Sequence, residues 1–183
     1  MKIGIMWIAA LALFAAPSYA QMGDHAQMAD RSMAIRNGLR GTYDSVKDWI
    51  TKSADQVSED LYNFKPTPEV RSLGELFGHV ANANFMICSG AAGEKSPNTA
   101  DFEKVTAKAE IVKGLRASFA YCDQAFDGMT EAKAHETITF FGQQQPRLSV
   151  LAFNTSHDYE HYGNIVTYMR LKGMVPPSSQ RGM

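Results

Sequence analysis

The 183-residue sequence lacks an excess of charge of either sign. It has 18 basic and 19 acidic side chains, a formal net charge of -1, and no block of like charges. Because proteins bind nucleic acids through clustered lysine and arginine, we expect no nucleic-acid partner. Internal repeats and low-complexity segments are also missing. With 45% hydrophobic residues, a chain of this length has enough apolar side chains for the core of one domain.

Long hydrophobic runs are missing as well, apart from one short run, residues 3–16, that follows a single lysine. This run and the small-x-small pattern of Ser18-Tyr19-Ala20 are typical of a cleaved secretory signal. The run is shorter than the roughly 20 residues that a transmembrane helix needs, although an uncleaved anchor is the alternative interpretation. We therefore expect a signal peptide at 1–20 and one mature domain at 21–183. The mature chain would start near Gln21, in the periplasm or outside the cell, without stable membrane insertion.

Cysteine is scarce, with only Cys88 and Cys122. In an exported protein, such a pair can form a disulfide. Each cysteine falls late in a helix predicted below. If those helices run parallel, the two thiols lie at the same height and a bridge can form. If the helices are antiparallel, the Cα atoms lie farther apart than the roughly 4.4–6.8 Å that a disulfide allows, and both thiols stay free.

Four stretches have apolar residues at the three- and four-residue spacing of amphipathic helices. They are Gln27–Lys52, Ser72–Ser89, Ala107–Phe126 and Arg147–Lys172. Ser72 and Glu75 predict a capping box at the start of the second helix. Four long helices with few strands predict an all-α fold, a four-helix bundle.

Two connections between these helices are distinctive. Residues 90–106 are rich in glycine and small polar residues, which predicts a loop long enough to cross one end of the bundle. Residues 137–146 alternate β-branched or aromatic side chains with polar ones before a polar Gln143–Gln145 turn. This pattern favours a short extended segment or hairpin before the fourth helix.

Three of the five histidines lie on predicted helices. His157 and His161 are four residues apart, which places both rings on one face of the fourth helix. Two such imidazoles can bind one metal ion at about 2.0–2.1 Å, although the spacing fits a solvated or core pair equally well. His79 lies beside the predicted buried stripe of the second helix, where a charged ring would be costly. Together they would form an open three-histidine site with a position for water or substrate.

The segments that carry these histidines resemble the DinB-like metalloprotein family. Residues 73–81 are similar to the family's first histidine motif, and residues 154–166 to its H-x-x-x-H-x-G segment. The stretches 64–66 and 168–179 match as well, so that the resemblance covers nearly the whole mature chain.

This resemblance implies a four-helix bundle with a long crossover between the second and third helices. These two helices would then run parallel, which is the condition for the Cys88–Cys122 disulfide. It also implies one divalent ion, zinc or nickel in most members, bound by His79, His157 and His161. Some relatives activate a low-molecular-weight thiol with this metal. An exported chain departs from those largely cytosolic members, because reduced thiols are scarce outside the cytoplasm.

Several polar residues near the histidines have weaker assignments. Asn82 is one turn after His79 and Asn154 is one turn before His157, so both are candidates to support a metal ligand or to orient a substrate. Asp158 and Glu160 flank the histidine pair and are expected to be solvated. No carboxylate lies clearly on the histidine face, so the catalytic residues stay unassigned. His25, near the N-terminus, and His135, in a predicted loop, are expected to lie away from the metal.

Two functions fit these features. One is a metal-dependent enzyme of the hydrolase or transferase type, which acts on an unidentified small molecule. The other is a non-catalytic bundle that binds a metal ion or a small ligand; a bundle with purely structural histidines is a third alternative. Since bundles of this kind often pair through a helical face, a homodimer is a further expectation.

Overall fold

The computed structural model describes residues 19–180. The predicted signal peptide lies outside the described residues, apart from Tyr19 and Ala20, with which the first helix begins. Within the described part of the chain, no helix combines the length and the apolar character that crossing a membrane requires.

The fold is all-α, as predicted, and the described residues form four long helices, one short helix and one small hairpin. The helices are α1 (Tyr19–Gln56), α2 (Leu73–Ala92), α3 (Lys108–Asp127), α4 (Glu131–His135) and α5 (Arg147–Leu171). The hairpin consists of β1 (Thr137–Phe140) and β2 (Gln143–Pro146), and 3₁₀ turns occur at Glu59–Asn63, Phe102–Lys104 and Pro177–Ser179.

The structure corrects three details of the sequence-based expectations. The expected polar turn at Gln143–Gln145 is wrong, because these residues belong to β2 and the hairpin turns at Phe141 and Gly142. Helix α1 extends beyond both predicted ends, to Tyr19 and Gln56. The short helix α4 was not predicted, so that His135 is its last residue instead of part of a loop. Its start is capped by Thr130, whose side-chain oxygen accepts a hydrogen bond from the backbone N–H of Lys133. A helix of this length has too few residues to show an apolar period.

The start of α2 follows from its cap. The Ser72 hydroxyl accepts a hydrogen bond from the Glu75 backbone N–H at 3.2 Å, and the Glu75 carboxylate accepts one from the Ser72 N–H at 2.7 Å. This capping box satisfies two backbone donors that a helix start would otherwise leave without partners. It therefore fixes the position at which α2, and with it His79, enters the bundle.

Helices α2 and α3 run parallel. Asn84 donates a hydrogen bond to Ser118, and one helical turn farther along both helices Cys88 is bonded to Cys122. The Cα atoms of the two cysteines are 5.3 Å apart, within the range that a disulfide allows. The crossover predicted between α2 and α3 is therefore present, and it returns the chain to the end of the bundle at which α2 starts.

The crossover packs directly onto both helices at two glycines. A Cβ atom at Gly78 on α2 would collide with the backbone carbonyl of Phe102, and one at Gly114 on α3 would collide with the Phe102 ring. Only a residue without a side chain permits such an approach at either place. The space left by these two glycines lets the 3₁₀ turn Phe102–Lys104 pack against α2. Glu103 therefore lies beside His79.

Helix α5 runs antiparallel to α2. The Arg147 guanidinium at its start donates to the backbone carbonyl of Ala91 near the end of α2, at 3.0 Å. From that point the two helices extend side by side toward the start of α2, where His79 faces His157 and His161. The bundle therefore brings the two histidine motifs together at one level.

Candidate metal centre

Three imidazoles meet between α2 and α5. Nε2 of His157 lies 3.3 Å from Nε2 of His79 and 3.1 Å from Nε2 of His161. One ring nitrogen from each of the three residues lies within 4.8 Å of the others. The side-chain set predicted from the H-x-x-x-H spacing and from His79 is therefore assembled in the fold, with one member from α2 and two from α5.

These distances fit ligands that share one ion. Nitrogen atoms at about 2.0–2.1 Å from a tetrahedral metal lie about 3.3 Å from each other. Without a cation the contacts are poorly satisfied, because the single proton that Nε2 of His157 can carry cannot be well directed at both His79 and His161. A shared cation would accept all three lone pairs, so the donor set fits a divalent metal.

Burial keeps two of these rings neutral. It lowers the pKa of His161 to about 3, and the neighbouring imidazoles of His157 and His79 act in the same direction. Burial likewise lowers the pKa of His157 to about 4, again with a contribution from His79. Since a metal binds the unprotonated imidazole nitrogen, both rings are in the binding-competent form at neutral pH.

Glu103 fixes the orientation of His79. Its Oε1 lies 2.7 Å from Nδ1 of His79, and its Oε2 accepts a hydrogen bond from Arg71 at 2.9 Å. Burial alone would raise the pKa of the Glu103 carboxyl, but the hydrogen bonds from His79 and Arg71 hold it below its ordinary value. The carboxylate can therefore only accept, so Nδ1 of His79 is its donor and Nε2 is the ring nitrogen left to face the other two histidines.

Sequence reasoning missed Glu103. It lies in the crossover, which carries no apolar period, and 24 residues separate it from His79. The only local feature that points to this contact is Gly78, one residue before His79. The importance of this glycine depends on its contact with a distant segment.

The second ring nitrogens of the other two histidines differ from that of His79. Nδ1 of His157 and Nδ1 of His161 are both buried, and neither has a hydrogen-bond partner within residues 19–180. The protein therefore fixes the tautomer of one histidine of the set through a side chain, and that histidine is His79.

Asn82 lies at the edge of the site, where it holds the crossover. Its side-chain nitrogen donates to Asp101 at 2.9 Å, and its oxygen accepts from the backbone N–H of Phe102 at 3.1 Å and from the side chain of Asn98 at 3.3 Å. The residue also lines the cavity beside His79. Its polar atoms are thus engaged with the segment that carries Glu103.

Asn154 and Asp158 lie in the core of the bundle. Both are completely buried, and the Asn154 amide donates to Oδ2 of Asp158 at 3.2 Å. The expectation that Asp158 is solvated is wrong, because its position on α5 faces the interior, whereas Glu160 is exposed as expected. Burial raises the pKa of the Asp158 carboxyl well above its usual value, which favours the protonated, neutral form of this group in the folded protein.

Two cavities open beside the histidines. The first, of about 370 Å³, is mainly apolar and is lined by His79, Asn82, Ala83, Met86, Ile87, Glu103, Phe141, Phe153 and His157. The second, of about 530 Å³, lies on the side of His161 and includes the polar side chains of Arg71, Asn164 and Tyr168. Among the described residues that line the apolar cavity, Glu103 is the one carboxylate, and both of its oxygens are engaged.

The remaining histidines do not join this site. His135 is exposed at the end of α4. The side chain of His25 is not among the side chains that the structure describes. Within the described part of the chain, the three-histidine set is the one group of side chains whose geometry is suited to a metal ion.

The fold agrees with comparisons to known proteins. A family model described as the DinB superfamily matches residues 43–165, a range that includes all three histidines. No curated protein matches the chain. The comparisons with solved structures show similarity of fold.

Three solved structures illustrate this similarity. A DinB-like protein from Bacillus cereus is 22% identical, with a TM-score of 0.68 over 77% of this chain and 95% of that one. A DinB-like protein from Bacillus subtilis is 20% identical, with a TM-score of 0.64 over 79% and 99%. A conserved protein from Enterococcus faecalis is 18% identical, with a TM-score of 0.62 over 74% and 95%.

Proposed function

This chain belongs to the DinB superfamily, and from that premise we propose that it binds one divalent metal ion through Nε2 of His79, His157 and His161. The observation that carries the proposal is the convergence of the three atoms at 3.1 and 3.3 Å, the spacing of ligands around one ion. Imidazole nitrogen is a ligand that zinc and nickel both accept readily, and these are the two metals that we propose.

The protein's own residues prepare the site for such an ion. Glu103 holds the proton of His79 on Nδ1, while burial keeps His157 and His161 unprotonated. Three protein ligands leave one coordination position for water or a ligand, as in catalytic zinc sites. The ion would polarise a bound water or a substrate heteroatom and make it a nucleophile near neutral pH.

We further propose that the chain is an enzyme of the hydrolase or transferase type that acts on a small molecule. The apolar cavity beside His79 and His157 supports this proposal, because its volume of about 370 Å³ is in the range of small-molecule sites. Purely structural histidines would not need a cavity of this size next to them.

A non-catalytic ligand-binding protein is the second candidate function, and one observation favours it. In the described part of the cavity lining, Glu103 is the one carboxylate, and its oxygens already accept from His79 and Arg71. No other carboxylate among the lining residues is available there as a general base, so proton transfer would depend on Glu103 itself or on the bound ligand.

Export is part of the proposal. The apolar run before Gln21 supports it, as does the bonded Cys88–Cys122 pair, because disulfides persist in oxidising compartments. Intact-mass analysis of the protein recovered from a bacterial periplasm would test it, with a mass that corresponds to a chain starting at Gln21, as glutamine or as its cyclised form, as the expected result. An N-terminus at Met1 would contradict a cleaved signal.

Metal analysis tests the central proposal. The full chain is produced without a histidine tag, and zinc and nickel are measured per chain by mass spectrometry of the dissolved protein. We expect one equivalent in the wild type and in His135→Ala, a matched control because His135 is exposed and is not part of the three-histidine group. His157→Ala and His161→Ala should lose stoichiometric metal. Full occupancy in either of these two variants would refute the site.

A further inference from the structure

We propose that the apolar cavity binds the apolar group of a small molecule whose donor atom coordinates the metal ion, and that Phe141 and Phe153 determine the specificity for that group. This inference rests on the proposed function, since it assigns a class of ligand to the same site. It depends on a strained turn and on three exposed apolar side chains around one opening.

Phe141 has a backbone conformation that phenylalanine rarely adopts. Its φ is 49°, and that of the following Gly142 is 75°. They are the two central residues of the hairpin, which is closed by the Phe140–Gln143 pair, and both of them need positive φ in a type I′ turn. Glycine and asparagine adopt this conformation easily, whereas a bulky side chain is strained in it. Such an outlier points to a role that needs this particular side chain.

Packing does not explain the phenylalanine. The side chain of Phe141 is 64% exposed, so the folded protein gains little from its burial. It contacts Phe140 and Phe153, with ring centroids 4.3 and 6.0 Å away, and lines the cavity beside the histidines. A ligand that fills this cavity would cover the ring and give the strained turn a function.

Two more exposed apolar side chains surround the same opening. Phe153 on α5 is 42% exposed and Met86 on α2 is 45% exposed, although both belong to helices with well-buried neighbours. The ring centroid of Phe153 is 6.3 Å from that of His157. Single exposed apolar residues are common, but a cluster of them around a cavity is typical of a binding site.

The lining of the cavity defines the chemistry of the ligand. Of the lining residues that the structure describes, none is a lysine or arginine, and the one carboxylate is engaged with His79 and Arg71. The polar part of a ligand must therefore be recognised at the open position of the metal. A volume of about 370 Å³ accommodates one aromatic ring or a short alkyl chain. The ligand class is thus a small molecule with one such group and one oxygen, nitrogen or sulfur donor.

Two hydroxamates test this inference. Acetohydroxamate and benzohydroxamate carry the same metal-binding group and differ only in the apolar part. Calorimetric titration of the zinc-loaded full chain should give an affinity for benzohydroxamate about tenfold higher than that for acetohydroxamate, because the phenyl ring is buried in the cavity. Equal affinities in a protein that contains zinc would overturn the ligand proposal and leave the metal proposal intact. A chain that binds neither zinc nor nickel would overturn both.

Substitutions assign the effect to the cavity. Phe153→Ala should lower the affinity for benzohydroxamate about tenfold and leave zinc content and acetohydroxamate binding unchanged, since alanine is well tolerated in a helix. Leu171→Ala is the matched control, because Leu171 is also on α5 and 60% exposed but does not line the cavity. A loss of the same size in this control would refute the role of Phe153.

Phe141→Asn separates a binding role from a structural one. Asparagine relieves the strain of the turn, so the thermal midpoint should stay the same or rise while the affinity for benzohydroxamate falls. Unchanged affinity would refute the role of the ring. A clearly lower thermal midpoint would refute the argument from strain.

Discussion

Oε1 of Glu103 lies 2.7 Å from Nδ1 of His79 and joins the crossover to the first histidine of the site. Its other oxygen accepts a hydrogen bond from Arg71, just before α2. Histidines that bind metals commonly donate their second ring N–H to a carboxylate, which fixes the ring and raises the basicity of the ligand nitrogen. The contact therefore prepares His79 as a ligand before any ion binds.

Glu103→Ala should weaken metal binding without unfolding the protein. Loss of a partner of this kind lowers metal affinity by roughly 10- to 100-fold. Glu103→Gln keeps an oxygen that can accept from His79 and should lose less. Competition with a chromogenic zinc chelator measures both affinities. Glu110→Ala is the control, because Glu110 is an exposed residue of α3, where its partner is Lys113. Equal affinities of wild type and Glu103→Ala would show that the contact does not support the ligand.

Gly78→Ala should displace the crossover. An added Cβ would collide with the Phe102 carbonyl, so backbone must shift at a cost of about 1–3 kcal/mol in the free energy of unfolding. Because Glu103 follows Phe102, metal affinity should fall as well. Gly41→Ala on α1 is the matched control, because nothing lies within 4 Å of its added Cβ. This substitution should raise the free energy of unfolding by up to about 1 kcal/mol. Urea unfolding of the two variants provides the measurement, and equal stabilities would contradict the close approach.

Sequence patterns were sufficient for the parts of the fold that depend on local signals. The capping box of Ser72 and Glu75 marked the start of α2, and the four-residue spacing of His157 and His161 placed both on one face of α5. These features depend on neighbours within one or two helical turns. The alternation in 137–146 likewise indicated the hairpin.

Features that depend on distant contacts were not predictable in this way. Glu103 acquires its role because the crossover fits into the gaps at Gly78 and Gly114, which no local pattern reveals. Asp158 was misread because a charged residue beside His157 is usually solvated, whereas here it shares the buried face of α5 with Asn154. The parallel direction of α2 and α3 came from the family resemblance, since the cysteine spacing alone left it open.

The Cys88–Cys122 bond should stabilise the folded chain. It closes a loop with a sequence separation of 34, for which the loss of chain entropy in the unfolded state predicts about 4 kcal/mol. The double variant Cys88→Ala/Cys122→Ala should lose much of this free energy, as measured by urea unfolding under oxidising conditions. Reduced wild type is the comparison that separates the bond from the packing of the sulfurs. Two free thiols in exported protein, detected by alkylation and intact mass, would contradict the bond itself.

Asp158→Asn should stabilise the metal-free protein, and by an amount that increases with pH. Burial raises the folded-state pKa of Asp158, so the folded chain keeps a proton that the unfolded chain releases above the ordinary value of 3.8. As the pH rises above 3.8, ionisation favours the unfolded state, and the wild type loses stability until the folded carboxyl also ionises. Asparagine cannot ionise and avoids this loss, while its side-chain oxygen can still accept from Asn154.

The difference between Asp158→Asn and wild type is therefore expected to be small near pH 4 and larger at pH 7. Urea unfolding in the presence of a chelator, at several pH values between these limits, measures it, and the chelator removes any contribution from metal binding. Asp48→Asn on α1 is the control, because Asp48 is an exposed residue whose partner is Lys52 and its substitution should produce no comparable trend. A difference in the free energy of unfolding that does not change with pH would mean that Asp158 is ionised in the folded protein. Its buried Oδ1 would then need a hydrogen-bond donor in the core.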